Sequence, residues 1–300
     1  AFVGGNIRTV KQKRVGADAN WQFNDSNQLA YGFVFRREES GLNPFQGNWD
    51  VNVLESSGEL IPSPSDNFIQ QGFYISGMRF DLLQPESRDV RGVYVQNESQ
   101  LNSHWTLTLG LRNDDYDDFG SHTSVRGGLV YNDKNHFVKL LYGEAFRAPS
   151  LNETRAGIAS GGISNPNLNP ENVATSELVF GMHNNQWNTL ITVYHNQFSD
   201  IIKPVLVDDV VPGITAFQPQ NTGKESNTGL EFEMRFQLSN QWQFNVGGDY
   251  VFDELQSQHL ANKHFFTNLD YRNENFTMNV KGRYVGKVIA RDAALANTQN

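Results

Sequence analysis

The chain has 300 residues, a formal net charge of −9 and no cysteine. Without thiols it can build no disulfide framework, no thiolate metal site and no cysteine nucleophile. Its acidity, with a pI of about 5.3, excludes a nucleic-acid binder, which would carry clustered Lys and Arg.

Mean hydropathy is −0.52, and no stretch approaches the roughly 18 apolar residues of a membrane helix. A membrane β-strand escapes such a scan, because it mixes lipid-facing and lumen-facing residues. The first residues, AFVGGNIR, show no charged start followed by an apolar core. The chain is therefore expected to be a fragment of a longer one.

Read in order, the apolar residues recur with period two, the signature of strands with two different faces. Val15, Ala17, Ala19, Trp21 and Phe23 alternate with Gly16, Asp18, Asn20 and Gln22. Leu29, Tyr31, Phe33 and Phe35 repeat the pattern, as do Trp105, Leu107, Leu109 and Leu111. Further on, Leu230, Phe232, Met234, Phe236 and Leu238 oppose Glu231, Glu233, Arg235 and Gln237. Phe276, Met278, Val280 and Tyr284 close the series. Nothing keeps a helical apolar stripe over three turns.

Short polar turns are expected at Asn24–Asn27, Leu101–His104, Asn132–Asn135, His183–Gln186, Leu238–Gln241 and Arg272–Asn275. Asn, Asp and Ser suit them, because they tolerate left-handed backbone and bond their own main chain. Aromatics sit beside them, as in the girdle of a membrane barrel. Longer irregular connections are expected at Glu38–Phe68, Arg147–Pro170, Pro204–Gly223 and Asp253–Lys263. Short turns at one end and long loops at the other is the asymmetry of an outer-membrane barrel. The pattern gives about twelve strands, and chain-direction parity allows a further pair or none within Phe68–Arg88. Phe73-Tyr74-Ile75 favours the pair. A soluble β-sandwich binding module shares the alternation. Long strands and mid-strand charges, such as Arg14, Asp18, Lys281 and Arg283, favour the barrel with its wide polar lumen.

Several segments carry a family resemblance, in order. They are LTLGLRNDDYDDFGSHTSVRGGLVY at Leu107–Tyr131, YGEAFRAPSL at Tyr142–Leu151 and NPNLNPE at Asn165–Glu171. QNTGKESNTGLEFEMRFQLSNQW at Gln220–Trp242 and RYVGK at Arg283–Lys287 follow. Together they resemble the barrel of TonB-dependent outer-membrane receptors. The resemblance implies an all-β, antiparallel transmembrane β-barrel, present as about 12–14 strands of a 22-stranded one. Residues 1–300 would form a single barrel domain, incomplete at both ends, without plug or terminal strands. It implies no enzyme, no cofactor and no resident metal. The implied function is active, TonB-coupled uptake of a scarce nutrient across the outer membrane of a Gram-negative bacterium, a ferric siderophore being the commonest cargo. TonB would act through a plug, and outer-membrane lipid would surround the wall. Cobalamin, haem and oligosaccharide receptors, and a passive porin-like or adhesin barrel, are the alternatives. Haem receptors carry FRAP and NPNL boxes with a His between them, whereas SLNETRAGIASGGIS here has none.

The family motif positions are Phe146, Arg147, Pro149, Asn165, Pro166, Leu168, Pro170 and Glu171. Their bland reading is that the prolines end strands and shape a loop, with Arg147 bonding locally. Ligand-contact candidates are Arg36, Arg37, Arg126, Arg147 and Arg155, since Arg forks onto carboxylate or catecholate oxygens. Trp49, Tyr116 and Phe119 could stack on an aromatic ligand. The acidic cluster Asp114, Asp115, Asp117 and Asp118 lacks EF-hand spacing and reads as a solvated rim. The seven histidines are scattered, with His104, His136 and His183 at expected inner turns.

Overall fold

The structure is a computed structural model that describes residues 4–6, 9–41, 45–47, 69–71, 73–75, 78–80, 86–155, 163–211, 214–252 and 261–287. In chain order the strands are β1 (Gly4–Asn6), β2 (Val10–Asn24), β3 (Asn27–Ser40), β4 (Phe45–Gly47), β5 (Ile69–Gln71), β6 (Phe73–Ile75), β7 (Met78–Phe80) and β8 (Glu86–Gln100). Then come β9 (Trp105–Tyr116), β10 (Gly120–Asn132), β11 (His136–Arg147), a helix α1 (Leu151–Arg155), β12 (Glu171–His183) and β13 (Trp187–Ser199). The last are β14 (Ile202–Val211), β15 (Ile214–Asn221), β16 (Lys224–Gln237), β17 (Trp242–Val251), β18 (Lys263–Arg272) and β19 (Thr277–Val285).

Twelve of these form one antiparallel wall in the order β2-β3-β8-β9-β10-β11-β12-β13-β16-β17-β18-β19. The expected extra pair between β3 and β8 is not in it. β3 pairs directly with β8 from Asn27↔Ser99 to Ser40↔Glu86, which leaves no edge for an insertion. Phe73–Ile75 is a strand, but among the described residues it pairs only with β7. The expected irregular connection Pro204–Gly223 is an ordered hairpin, β14 on β15. Its prolines face each other as Pro204↔Pro219, which is tolerated because among the described residues no further strand calls on their nitrogens, the outer carbonyls of β15 accepting instead from Ile163 and Asn165. Most of the connections Asp253–Lys263 and Glu38–Phe68 falls outside the described residues.

Among the described residues no second layer covers the apolar face, so the sandwich reading fails. Tyr31, Phe33, Leu109 and Val280 are 45–55% exposed, and Leu107 and Phe232 are only half-buried. Along β3 and β8 the apolar side is the more exposed one and the polar side is the more covered. That inverts a water-soluble protein and fits a wall whose greasy side is solvated by hydrocarbon. Wall strands of up to 15 residues exceed the roughly 9–11 that span a bilayer, so their outer ends project beyond it.

The polar side is tied across strands. The Tyr94 hydroxyl donates to Asp18 at 2.8 Å, reaching over Gly32, the cross-strand partner of both. A Cβ on Gly32 would lie 2.7 Å from the Tyr94 ring and 2.5 Å from Asp18 Oδ1, so glycine there is a requirement of close approach. Arg235 donates to Asn245, and Asn245 to Asp270.

The six inner turns fall where expected and share one device. Asn102 Oδ1 accepts from the His104 and Trp105 amides, Asn184 Oδ1 from Gln186 and Trp187, and Asn273 Oδ1 from Asn275 and Phe276. Asp133 does the same for Asn135 and His136, Ser239 Oγ for Gln241 and Trp242, and Asn24 accepts from Ser26. The two amides at Asp133 hold its pKa down at about 2. Each device closes a turn and launches the next strand, in three cases with a Trp at the membrane boundary. There Trp105 packs on Tyr131 at 5.2 Å and Trp242 on Tyr271 at 4.7 Å. Asn184→Ala should therefore cost about 1 kcal/mol, while Asn184→Asp, which keeps the acceptor, should be nearly neutral. Urea refolding midpoints of the protein in micelles measure both.

Candidate functional site

The outer ends of β8 to β12 and the β14–β15 hairpin carry the residues singled out above. Chain direction puts them at the end opposite the six turns. β11 delivers Phe146 and Arg147 to the rim, and Pro149 stops the strand, since proline cannot continue its ladder. Ser150 then opens α1 through a capping box. Its hydroxyl accepts from the Glu153 amide at 3.3 Å, and Glu153 accepts from the Ser150 amide at 2.7 Å.

Arg147 grips two carboxylates. Its guanidinium donates to both oxygens of Glu153 at 3.0 and 3.1 Å and to Glu171. Glu171 also accepts from the Ile202 amide at 2.6 Å, so one arginine joins β11, α1, β12 and the hairpin. Its hydrogen bonds to Glu171 and Glu153 push the Arg147 pKa up. Partial burial opposes charge on Glu153 and Glu171. The bonds from Arg147 and from backbone amides outweigh it and hold both carboxyls below their usual range.

The NPNLNPE segment staples the loop. The Asn165 amide donates to the Glu153 carbonyl, and its side chain donates to the Pro219 carbonyl. Pro166 forms a turn, which Asn165 Oδ1 closes by accepting from the Asn167 amide. Leu168 is buried beneath it. Asn169 and Asn221 exchange reciprocal bonds of 2.9 Å, and the Pro170 carbonyl accepts from Asn172. In the structure these positions bind the loop to itself and to the hairpin.

Beside them lies a buried knot that the sequence did not reveal. Arg88 and Asp118 pair with side chains 4% and 8% exposed. Arg88 also donates to the Pro149 carbonyl at 2.8 Å. Its guanidinium lies 5.7 Å from the Tyr116 ring and 5.5 Å from Phe119, and those rings stack at 4.3 Å. The acidic cluster is therefore not simply a solvated rim. Asp118 meets Arg88 and the buried Asp114 meets Arg112, while Asp115 and Asp117 stay exposed. Tyr116 is buried and Phe119 half-buried. The Ser150/Glu153 spacing was readable as a capping box. Arg88 was not, because its strand begins in the segment whose pairing was ambiguous.

The candidate arginines divide. Arg36 faces the lumen, donates to the Tyr116 hydroxyl at 3.3 Å and pairs with Glu38. Arg37, one residue on, rises on the lipid side and pairs with Glu39 and Asp89. Arg155 pairs with Glu86 at 3.0 Å. Arg126 lies on the lumenal side beside Tyr94, Arg112 and Ser124, packed over Gly110. It makes no hydrogen bond or ion pair among the described residues. Trp49 lies outside them. No cluster of three His, Asp or Glu suited to a metal ion occurs among the described residues.

The wall geometry has close counterparts. Residues 2–300 match the family model for the TonB dependent receptor-like β-barrel. The ferric enterobactin receptor PirA of Pseudomonas aeruginosa is 27% identical over 194 residues, covering 58% of this chain and 26% of PirA. An iron-regulated outer membrane virulence protein of Vibrio cholerae is 28% identical over 184 residues, covering 57% of this chain and 28% of that protein. The chain thus spans about a quarter of the length of these relatives. Among solved structures, the ferric enterobactin receptor PfeA of Pseudomonas aeruginosa bound to enterobactin superposes with a TM-score of 0.71 at 16% identity, over 93% of this chain and 42% of PfeA. The siderophore receptor PirA of Acinetobacter baumannii gives 0.66 at 16% identity, over 94% of this chain and 44% of that one. Those two likenesses are of fold. The match over nearly the whole chain, with a twelve-stranded wall greasy outside and polar within, places this chain in the TonB-dependent receptor-like β-barrel family.

Proposed function

We propose that the chain is wall and outer mouth of an outer-membrane receptor that imports a ferric siderophore, with energy supplied through TonB. The carrying observation is the inverted wall. Its greasy face needs lipid, its polar face lines a path, and iron-receptor relatives share its sequence pattern. No covalent step is required of it. The barrel binds, encloses and guides, and release draws on TonB acting through a plug domain.

Within that reading, the contact residues are Arg36, Arg126, Arg147 and Arg155, with Phe119, Tyr116 and Trp49 as aromatic surfaces. Arg126 is the strongest of these, because its guanidinium is uncommitted and can fork onto catecholate or carboxylate oxygens. Arg147 and Arg155 hold the loop that frames the mouth and already meet carboxylates.

The test is uptake of radiolabelled iron by cells whose only receptor is this protein, supplied with single siderophores. Arg126→Ala should weaken binding of an anionic ferric siderophore about tenfold, equivalent to about 1.4 kcal/mol, with an unchanged unfolding midpoint. A receptor that takes up no ferric siderophore, or an Arg126→Ala receptor that binds as tightly as the parent, overturns the respective claim.

A further inference from the structure

The lumenal face of the wall differs from arc to arc in the charges it leaves free. Residues two apart share a face, and antiparallel partners share it across strands. Arg112 on β9, Arg126 on β10 and Lys139 on β11 therefore all face inward below the rim, opposite Ser124, Gly143 and Val130. Asp114 is the carboxylate on the same face of these three strands, and Arg112 donates to both its oxygens. Two inward carboxylates border the strip, Glu98 opposite Thr108 and Glu177 opposite Leu141. Neither pairs with Arg126 or Lys139, which make no hydrogen bond or ion pair among the described residues. The arc beyond is acidic. Its recess is lined by Glu231, Glu233 and Asp249 against Arg283, with His264 bonded to Asp249, while Arg235 is turned to Asn245. An anion in the lumen thus meets carboxylates on one side and two free cations on the other.

The free cations lie at different depths. Arg126 stands six residues above the inner end of β10, and Lys139 three above the inner end of β11. Arg126 is opposite Gly143, four residues further out than Lys139. At about 3.4 Å per residue, Lys139 lies roughly 14 Å further in along the strands. It is half-buried, with its ammonium 5.0 Å from the Phe137 ring, so the charge is held in place without being neutralised.

Bare backbone joins the two. Arg126 has glycine on both sides in its row, Gly110 and Gly143. Gly110 has a reason within the wall, because the Arg126 side chain lies over it. Gly143 has none. Its φ is not positive, and a Cβ there would meet nothing within 4 Å. The β10–β11 ladder ends at this pair, although β10 runs on beside β9 and β11 beside β12. Glycine inside a strand weakens it and often marks the close approach of a ligand or another backbone.

We propose that an anionic cargo crosses the barrel along β9 to β11, past Arg126 and the bare backbone at Gly143, and that Lys139 is its inner contact before the periplasmic turns. The route rests on the import of an anionic ferric siderophore proposed above, and adds to it a path and a residue that acts after binding. Lys139 lowers the barrier to passage, while the acidic arc of β13 to β17 turns the cargo away.

The experiment uses the whole receptor in cells, with a ferric tris-catecholate as the probe. One ion contact in a wet lumen changes a rate about fivefold. Lys139→Gln should therefore slow iron uptake about fivefold and Lys139→Glu about 25-fold, while Lys139→Arg should match the parent. Binding at the outer mouth and the urea midpoint should stay unchanged in all three. Single cysteines, placed in a chain that has none, then trace the path. A thiol-reactive form of the same complex should label Gly143→Cys during energised uptake and spare Thr192→Cys, which lies opposite Glu231 on the acidic arc. Labelling of both cysteines or of neither, or uptake by Lys139→Glu at the parent's rate, overturns the route. So does slowed uptake with a lowered urea midpoint in Lys139→Gln, which would assign Lys139 to holding a plug domain. A parent that imports no ferric tris-catecholate removes the underlying reading and the route with it; parental import with any of the earlier outcomes sinks the route alone.

Discussion

Arg88→Leu should destabilise the folded receptor by about 3–5 kcal/mol, the usual consequence of leaving one partner of a buried ion pair without the other. The geometry makes this pair more costly to break than most. Both side chains are almost fully covered. Asp118 Oδ1 has no hydrogen-bond partner even with Arg88 in place, so removing the guanidinium leaves a buried carboxylate with little to oppose its charge. The same change frees the Pro149 carbonyl and takes the cation from beside the stacked rings of Tyr116 and Phe119. Three segments would loosen together: the start of β8, the turn between β9 and β10, and the arm that follows β11. The double variant Arg88→Met with Asp118→Leu should recover most of the loss, because it removes the charge together with its partner. Urea midpoints of the receptor in micelles give both numbers. A single variant as stable as the parent would mean that water reaches Asp118 and that the knot does not hold the rim.

How much of this was open to a reader of the sequence depends on the range of the interaction. The wall was legible because its signals are local. Period-two alternation fixes the two faces, and Asn102, Asn184 and Asn273 bind amides only two or three residues ahead. The hairpin Ile202–Asn221 was hidden by Pro204 and Pro219, which suggest a loop until it is known that they face each other and leave the ladder no missing donor. The site was legible as composition only. Arginine is visible in a sequence, but its partner is not. Arg147 meets a carboxylate 24 residues away, Arg155 one 69 away, and Arg88 one 30 away. The distinction between Arg36 and Arg37 was within reach, because Phe33 and Phe35 already assign odd positions of that strand to the greasy side. Asp114 and Asp118 were misread for the opposite reason. A run of aspartates suggests solvent, and only the fold brings Arg88 over Asp118, whereas Arg112 stands two residues from Asp114 on the same face of its own strand.

Arg147→Ala should release the arm between β11 and β12 without unfolding the wall. Hydrogen bonds to charged groups contribute about 1.5–3 kcal/mol, and Arg147, itself half exposed, makes them to two carboxylates that anchor α1 and β12. Without it Glu153 keeps its capping-box bond, so α1 should survive while its tether to Glu171 and the hairpin is lost. Limited trypsin digestion should then cut after Arg155, which the parent protects through Glu86 and the folded arm. Acid should mimic the substitution. Glu153 and Glu171 have folded-state pKa values below the ordinary 4.5, so ionisation favours the closed arm. That stabilisation is fully present above pH 4.5 and is lost as pH falls through the depressed folded values. Cleavage of the parent at Arg155 should therefore appear only after preincubation below pH 4.5, with protease added in a rapid return jump. The Arg147→Ala receptor should be cut equally at every pH, because its carboxylates have no guanidinium left to lose. An arm whose opening by acid persisted unchanged in that variant would place the titrating group elsewhere on the rim.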